Sequence, residues 1–478
     1  MYLMHSHMIA NILDMMAKQI TQQTFDDVVL ENIKEFEMSV EDAIEDAVQQ
    51  FEAQGIDLSL IVCDPGLYGG DEGIAVHPVV RAIENLARAV DNGQTDQAEE
   101  FLQTIHAECD VDLARRCLAG KHHAYPVLIK ALRSFKSNSS LLTVTLSALC
   151  SLSNGQPDVL DSDGISLLIQ FLKECKDEDV IELTVRLIRL TCIKHEQNRQ
   201  SYVKAGLVQA LIETLDDHKK SAKIVKEVSF ALRVLTFDDD VRVPFGQAHE
   251  NAKIIVLEGH ALKALLEICK EYTEDKGIQG ELFSTLGKLV VRDEFCKEVM
   301  DLGGLDLILK SFQQNVKDKG IVRQALFVLK ALAGNDDIKD AIVKAGGMEL
   351  ILYALVQHQS HSSVAEIGCA TIAMLTLRKP DHCVRVMENS GHEVILQAMK
   401  IHIDKEGVLK QGCMALRNIV ARATEYCAPI LESGAESLIN QARKYKSCDD
   451  EAKAALRDLG CHVELKELWT GEKGSLVQ

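Results

Sequence analysis

A short turn that contains glycine or another small or polar residue recurs along the chain at nearly constant spacing. Each copy has an aliphatic pair, one or two polar residues and the turn, after which a new helix opens. The last positions of these turns are Gly164, Leu207, His260, Gly304, Gly347, Gly391 and Gly434. Successive copies are separated by 43, 53, 44, 43, 44 and 43 residues. A repeat of this length is typical of proteins that stack helical units on a continuous core.

The fifth copy shows what one repeat contains. Residues 338–344 form a short first helix, and Gly346 and Gly347 allow a sharp turn that a Cβ would obstruct. A second helix at 349–356 and a third at 363–377 have apolar residues at spacings of three and four, so each has one apolar face. One repeat cannot bury these faces, but stacked neighbours can. The sequence therefore predicts an all-α protein, a right-handed α-solenoid whose concave face is lined by the third helices.

Composition restricts both fold and function. The 478 residues include 52 lysines and arginines against 72 aspartates and glutamates, and the formal net charge of −20 argues against binding to nucleic acid. Aromatic residues make up 5% of the chain and there are 7 prolines, too few for a sandwich or barrel. The 14 cysteines include no C-x-x-C pair, and no apolar stretch is long enough to span a membrane. We expect reduced thiols and a cytoplasmic or nuclear protein.

Catalytic and cofactor motifs are missing from the sequence. It has no Walker loop, no G-x-G-x-x-G after a strand, no H-E-x-x-H and no nucleophile elbow. His195 and Glu196 are adjacent and have the chemistry of a catalytic pair, but polar loops between repeats are common. We expect no enzymatic activity, no catalytic residues, no cofactor and no bound metal.

The repeat length and the glycine turn followed by an aliphatic pair resemble the armadillo repeat, whereas HEAT repeats have two helices and lack this turn. Longer motifs resemble the armadillo repeat-containing protein 6 family. They are Thr24–Asp26, Gly55–Leu58, Lys194–Gln200, Leu235–Asp240, Arg242–Gly246, Ala333–Asp337, Leu377–Asp381, Ala454–His462 and Trp469–Gly471. The motifs cover residues 18–478 in order. The resemblance implies an armadillo solenoid that acts as a protein-interaction scaffold.

We expect six segments along the chain. They are a disordered extension (1–17), an acidic helical segment (18–60), a flexible Gly/Pro linker (61–78), capping helices (79–123), about seven to eight armadillo repeats (124–447) and a C-terminal cap and tail (448–478). The acidic segment contains eleven acidic and two basic residues, so it carries nearly half of the net charge. We predict that it docks on a basic stripe formed by the third helices of the solenoid and competes with partners there.

The third helices indicate where a partner binds. In importin-α and β-catenin-like armadillo proteins, asparagines on successive third helices hold an extended peptide. Here Asn418 occupies that position, and the other residues there are Ala148, Arg189, Val234, Lys288, Ala331 and Met374. Cations lie at this position or the one before it, namely Arg189, Arg233, Lys288, Lys330 and Arg417. We predict a basic stripe that binds an acidic peptide, with pairing to nearby carboxylates as the alternative.

The interval of 53 residues contains an insertion within 238–251. Insertions in repeat arrays form loops on one face, which is often the binding face. The candidate residues of this loop are Asp238, Asp239, Asp240, Arg242, Phe245 and His249. Three consecutive aspartates do not converge on one cation without a special turn, so we expect a structural loop with Phe245 packed on the solenoid. The related family carries more histidines here, which argues against a histidine-dependent role.

These patterns favour a non-enzymatic, monomeric scaffold that binds a partner peptide or protein along the concave armadillo surface. The alternative is a cargo adaptor or co-chaperone for an acidic client protein. Neither nucleic acid nor a membrane is an expected partner.

Overall fold

The structure of the protein is a computed structural model that describes residues 18–68 and 74–463. Within these residues all regular structure is helical, apart from one bridge between Lys18 and Ile56. The all-α prediction is confirmed. No helix in the described ranges is long and apolar enough to cross a membrane. The extension predicted at 1–17 and the tail that contains Trp469 lie outside the described residues.

The helices divide between two compact units. The N-terminal unit extends to Thr214 and also includes Phe237–Gln247, and the C-terminal unit contains Leu215–Thr236 and the chain from Ala248 onward. Helices of the N-terminal unit are α1 (Gln22–Glu35), α2 (Val40–Ala53), α3 (Pro78–Asn92), α4 (Thr95–Val111), α5 (Leu113–Lys121), α6 (Ala124–Ser134), α7 (Ser139–Ser153), α8 (Ser162–Glu174), α9 (Glu178–Cys192) and α10 (Glu196–Lys204). The boundary between the units falls inside α11 (Leu207–Asp217).

The C-terminal unit continues the same pattern of one short and two longer helices. Its helices are α12 (Ala222–Val234), α13 (Ala248–Leu257), α14 (Ala261–Glu271), α15 (Lys276–Leu289), α16 (Asp293–Asp301), α17 (Gly304–Gln314), α18 (Lys319–Leu332), α19 (Asp336–Lys344), α20 (Gly347–Gln357), α21 (Ser362–Thr376), α22 (Pro380–Glu388), α23 (Gly391–Ile401), α24 (Glu406–Val420), α25 (Cys427–Glu432), α26 (Ala435–Ala442) and α27 (Asp449–Asp458). The third helices α12, α15, α18, α21, α24 and α27 pack side by side in that order. Within each unit the stacked helices form an α-solenoid.

The repeats extend beyond both ends of the segment 124–447 that the sequence predicts for them. The short helix α5 precedes α6 and α7 as a first helix precedes its repeat, so the repeats start before residue 124. At the other end, α27 packs on α24 in the position of a third helix. The segment predicted as a cap from residue 448 therefore completes a repeat with α25 and α26.

The repeated turn depends on two residues with different tasks. The first stands just before the second helix with a positive φ, which glycine adopts without strain. It is Gly206, Gly303, Gly346 or Gly434 in four repeats and His260 or Ser390 in two others. The second residue is confined by the preceding helix, since a Cβ on Gly347 would lie 2.7 Å from the carbonyl oxygen of Ile342. The spacing of these turns in the sequence therefore reports a real geometric requirement.

A buried donor ties the first helix of many repeats to a third helix. The donor stands at the fourth position of the first helix and is Arg199, Asn251, Cys296, Lys339 or Cys383. It donates to a carbonyl at or just past the end of a third helix, such as Cys192 for Arg199 at 2.9 Å, Leu235 for Asn251 at 2.8 Å and Leu377 for Lys339 at 3.1 Å. The last carbonyls of a helix have no partner within it, so these donors stabilise the helix ends.

The acidic segment is attached to the repeats by apolar packing. Phe25, Val29 and Phe51 are buried between α1 and α2, and the same cluster includes Ala114 of α5. Ser39 caps α2, as its spacing to Asp42 predicts. The apolar faces of α1 and α2 are thus covered by each other and by α5, while their acidic residues, apart from half-buried Asp26, are exposed.

The first part of the predicted linker is packed as well. Tyr68 is buried and its hydroxyl donates to Asp26 at 2.5 Å, and the Asp64 carboxylate lies 3.2 Å from Arg115 of α5. The side chain of Gln22 bonds both the amide and the carbonyl of Val62. Residues 61–68 therefore hold the acidic segment in place.

Candidate functional site

The insertion is fixed to α10 through buried ion pairs. Arg199 is fully buried and lies 2.8 Å from Glu196 and 2.6 Å from Asp239. Asp239 also accepts the backbone amide of Lys194, and Asp240 accepts that of Glu196 at 2.9 Å. At the far end of the insertion, the amide of Gln247 donates to Glu196 at 2.7 Å. Buried charges are costly unless they are paired and hydrogen-bonded. Arg199 is paired with two carboxylates, and its Nη2 is a buried nitrogen without a hydrogen-bond partner among the described residues.

Arg242 closes the base of the loop from the solvent side. Its guanidinium donates to both carboxylate oxygens of Asp240, to Asp158 at 2.9 Å and to the carbonyl of Lys194 at 3.2 Å. The pKa of Asp240 is held far below its ordinary value, mainly by the hydrogen bonds from Arg242 and also by backbone amides. The pKa of Asp158 is lowered by Arg242 and by His195. Both carboxylates are therefore ionised when the loop is formed.

The tip of the insertion points into solvent. Val241 is 100% exposed and Phe245 is 89% exposed. The prediction that Phe245 packs on the solenoid is wrong. The anchoring contacts all involve Asp239, Asp240, Arg242 and Gln247, and among the described residues they leave Val241 and Phe245 exposed while Val243 is half-buried.

The three aspartates do not form a cation site in this arrangement. Asp239 and Asp240 each satisfy different donors, and Asp238 is exposed beside Gly246, where a Cβ would lie 2.7 Å from its Oδ1. His249 is exposed on α13, which belongs to the C-terminal unit. No cluster of metal-ligating side chains occurs in the described ranges.

His195 and Glu196 have structural roles. His195 caps α10 by accepting the amide of Asn198 at its Nδ1, and its Nε2 lies 2.7 Å from Asp158. Glu196 is buried against Arg199 and the insertion. Both side chains are fully engaged in holding the loop, which leaves neither aimed at an open site.

A second candidate surface is the solvent-facing stripe of the third helices in the C-terminal unit. We call it the third-helix surface; it comprises Phe230, Arg233, Lys288, Phe327, Lys330, Met374, Met414, Arg417 and Asn418. Each of these side chains is exposed or half-buried. Of the predicted binding residues, Arg189 lies in the N-terminal unit, half-buried on α9, and is not part of this set.

Three of the predicted residues are tied to neighbouring helices. Arg233 lies 2.8 Å from Glu281 and stacks over the ring of Phe230 at 4.4 Å. Arg417 lies 2.9 Å from Asp458. Asn418 donates to the carbonyl of Ala373 at 2.8 Å, so it links α24 to α21.

The lysines of the third-helix surface differ in exposure, and its apolar residues are half-buried. Lys288 is exposed, and Lys330, half-buried, has no ion-pair partner in the part of the chain that the structure describes. The ring of Phe327 lies against Gly287, where a Cβ would come within 2.6 Å of it. Gly287 therefore leaves room for the ring of Phe327 against α15.

The main feature that the sequence did not reveal is the pairing of Arg199 with Asp239, which are 40 residues apart. A usable signal was present: Glu196 and Arg199 are three residues apart on a short helix, and the same spacing recurs as Asp336 and Lys339, which lie 2.9 Å apart. Charged pairs at a normally apolar position indicate buried partners.

The three-helix repeat with its left-handed turn defines the class of the protein, an armadillo-repeat protein. Solved structures agree on the fold. An engineered protein superposes with a TM-score of 0.65 at 18% identity and covers 93% of this chain and 100% of its own. A structure from work on a phosphorylation switch between cadherin and β-catenin superposes with a TM-score of 0.54 at 18% identity, over 79% of this chain and 68% of its own.

Sequence comparisons are more specific. The ARMC6 family model matches residues 79–478, and the model of the armadillo repeat-containing protein 6 N-terminal domain matches residues 17–97. Human armadillo repeat-containing protein 6 is 45% identical over 97% of this chain and 95% of its own, and the Drosophila melanogaster homologue is 40% identical over 95% and 98%. The chain belongs to the armadillo repeat-containing protein 6 family. The N-terminal domain match includes α1, α2 and α3, in agreement with the packing of the acidic segment.

Proposed function

We propose that this protein is a non-enzymatic scaffold and that its third-helix surface binds an extended, acidic segment of a partner protein. The observation that carries the proposal is the combination of Lys330 and exposed Lys288 with the half-buried Phe327 on adjacent helices. Cations beside accessible apolar side chains suit a segment in which acidic and apolar residues are interspersed.

The paired cations shape how such a segment is held. Arg233 and Arg417 are held by Glu281 and Asp458, so they line the surface in fixed positions. Asn418 already donates to Ala373. Recognition therefore depends on side-chain charge and apolar contact, and less on an asparagine grip on the peptide backbone.

The test is a peptide selection against the full chain, followed by fluorescence anisotropy with the selected peptides. We expect acidic peptides with an apolar residue, and we expect Lys288→Glu with Lys330→Glu to weaken them by about tenfold or more, since each reversal turns attraction into repulsion. Lys310→Glu with Lys344→Glu is the matched control, because both lysines are exposed on first or second helices. Equal binding by the two double variants would overturn the proposal.

The same experiment separates the adaptor or co-chaperone alternative. A client recognised as a folded acidic protein would bind the full chain while its short peptides would not. A scaffold for linear segments binds the peptides themselves.

A further inference from the structure

The tip of the insertion combines exposure with rigidity. Val241 and Phe245 are almost entirely in water, whereas Asp240, one residue before Val241 and five before Phe245, is buried and accepts three hydrogen bonds from Arg242. Val243 closes a turn between the two by donating to the carbonyl of Asp240 at 3.0 Å. The backbone beneath the tip is therefore fixed on both sides.

This arrangement is unfavourable for a loop that only connects two helices. An exposed aromatic ring stabilises nothing, and leaving a side chain of this size in water forfeits the favourable free energy of its burial. A buried arginine and two buried carboxylates are also costly to organise. A preorganised apolar projection, however, loses little conformational entropy when it binds.

The charges around the tip restrict what it binds. Residues 238–247 and the residues that contact them include five acidic side chains (Asp158, Glu196, Asp238, Asp239 and Asp240) and three basic ones (Lys194, Arg199 and Arg242). Asp158 and Asp238 remain exposed next to the apolar pair. An anionic lipid surface would repel this region, and a second copy of a chain with net charge −20 would also be repelled.

From these observations we propose that the tip is a protein-docking element: Phe245, with Val241 beside it, inserts into an apolar pocket of a folded partner protein whose rim carries basic side chains. The rim pairs with Asp238 and Asp158. A convex tip of two side chains fits a concave pocket, as aromatic anchors do at interfaces. The site lies in the N-terminal unit and does not depend on the third-helix surface.

The first experiment is photo-crosslinking from the tip. The full chain with Phe245→p-benzoylphenylalanine is expressed in cultured cells and irradiated, and the adducts are mapped by mass spectrometry. The matched control is Phe36→p-benzoylphenylalanine, because Phe36 is also an exposed aromatic residue of the N-terminal unit, at 64%. The proposal requires an adduct specific to position 245 on residues that line an apolar, basic-rimmed pocket of a folded protein.

Any other result overturns it. An adduct with a second copy of this chain, with lipid or with a disordered peptide would show that the tip has another role. The same adducts from position 245 and from the Phe36 control would show that the tip has no specific binding role.

The second experiment measures affinity for the crosslinked protein after purification. We expect Phe245→Ala to weaken binding roughly 30-fold, the effect typical of a hot-spot aromatic. Asp240→Asn keeps the tip side chains but loosens their support, and we expect a weakening of about threefold to tenfold from lost preorganisation. Val111→Ala, at another exposed apolar site of the same unit, should have no effect. Retention of wild-type affinity by Phe245→Ala would contradict the proposal.

The two surfaces are separable in the same assays. Lys288→Glu with Lys330→Glu should leave binding through the tip unchanged, and Phe245→Ala should leave acidic-peptide binding unchanged. Failure of one proposal therefore does not imply failure of the other.

Discussion

At the scale of single residues, buried polar groups connect the first helix of a repeat to the end of a third helix. Arg199 and Lys339 occupy the same position in their repeats, and both are buried and paired three residues back. They differ in their partners: Glu196 is itself buried, whereas Asp336 is half-exposed. The same position therefore carries different amounts of stabilisation in different repeats.

Removing the two cations should show that difference. We expect Arg199→Met to lower the free energy of unfolding by about 3–5 kcal/mol, because it leaves a buried carboxylate uncompensated. Lys339→Met should cost about 1–2 kcal/mol, since Asp336 reaches water and also pairs with Arg378 at 3.3 Å. Urea unfolding followed by circular dichroism measures both. If both variants lose the same free energy of unfolding, burial of the carboxylate partner does not determine the cost of removing the cation.

The anchor of the insertion should respond to acid. The pKa of Asp240 is lower in the folded loop than in an unfolded chain, so its stabilisation is fully present above about pH 4 and is lost as the pH falls toward the folded value. We expect hydrogen-exchange protection of residues 238–247, corrected for the intrinsic rate, to be constant from about pH 7 to 5 and to fall below about pH 4.

The control for this acid response is Asp240→Asn. This variant should have less protection at neutral pH and a flatter profile, because the titrating group is gone. A wild-type profile that already falls between pH 7 and 5 would indicate that another group controls the loop.

At the scale of elements, the turn before each second helix is the feature that the sequence predicted best. Its first position has a positive φ in six repeats, and its second position is a glycine confined by the preceding helix in three of them, Gly304, Gly347 and Gly391. Glycine therefore recurs in the sequence at a regular period. His260 and Ser390 hold the same φ without being glycine, and there the period and the neighbouring Gly259 and Gly391 indicate the turn.

Alanine substitutions should separate the two requirements. We expect Gly346→Ala, at φ +79°, to cost about 1 kcal/mol, and Gly347→Ala to cost about 2 kcal/mol or more because the added Cβ meets the backbone of Ile342. Gly320→Ala is the control, since it lies in the first turn of α18 and its Cβ would meet only the side chain of Asp318. Thermal unfolding of the three alanine variants measures how much stability each one loses. Equal losses of stability for Gly346→Ala and Gly347→Ala would mean that the backbone of Ile342 moves away from the added Cβ at no cost in free energy.

Other elements were beyond sequence reasoning for physical reasons. The Gly/Pro composition of residues 61–78 predicted a flexible linker, but Tyr68 bonds Asp26, and such long-range contacts leave no local pattern. Phe245 was predicted to pack because aromatic residues are usually buried. In the structure, Asp239 and Asp240 bond Arg199 and the amide of Glu196 on α10, and Phe245 is left exposed. The spacing of the repeats contains no information about these contacts.

At the scale of the whole molecule, charge is distributed unevenly between the acidic segment and the third-helix surface. The acidic segment holds much of the net charge but packs through apolar residues, whereas the third-helix surface gathers lysines in an otherwise acidic chain. Our earlier expectation that the acidic segment competes with partners remains a prediction. Deletion of residues 1–62 should then raise affinity for acidic peptides, most clearly at low salt. Unchanged anisotropy would contradict it.

The central claim is that lysines of the third-helix surface recognise acidic residues of a partner segment, and a charge swap tests it most directly. The dissociation constants of an acidic peptide and of its lysine-substituted counterpart are measured against the wild-type chain and against Lys288→Glu with Lys330→Glu. The account predicts that wild type prefers the acidic peptide and that the variant prefers the basic one, with an interaction energy of about 1 kcal/mol or more in the cycle. Independent, additive losses from the two changes would contradict direct pairing and with it the proposed binding surface.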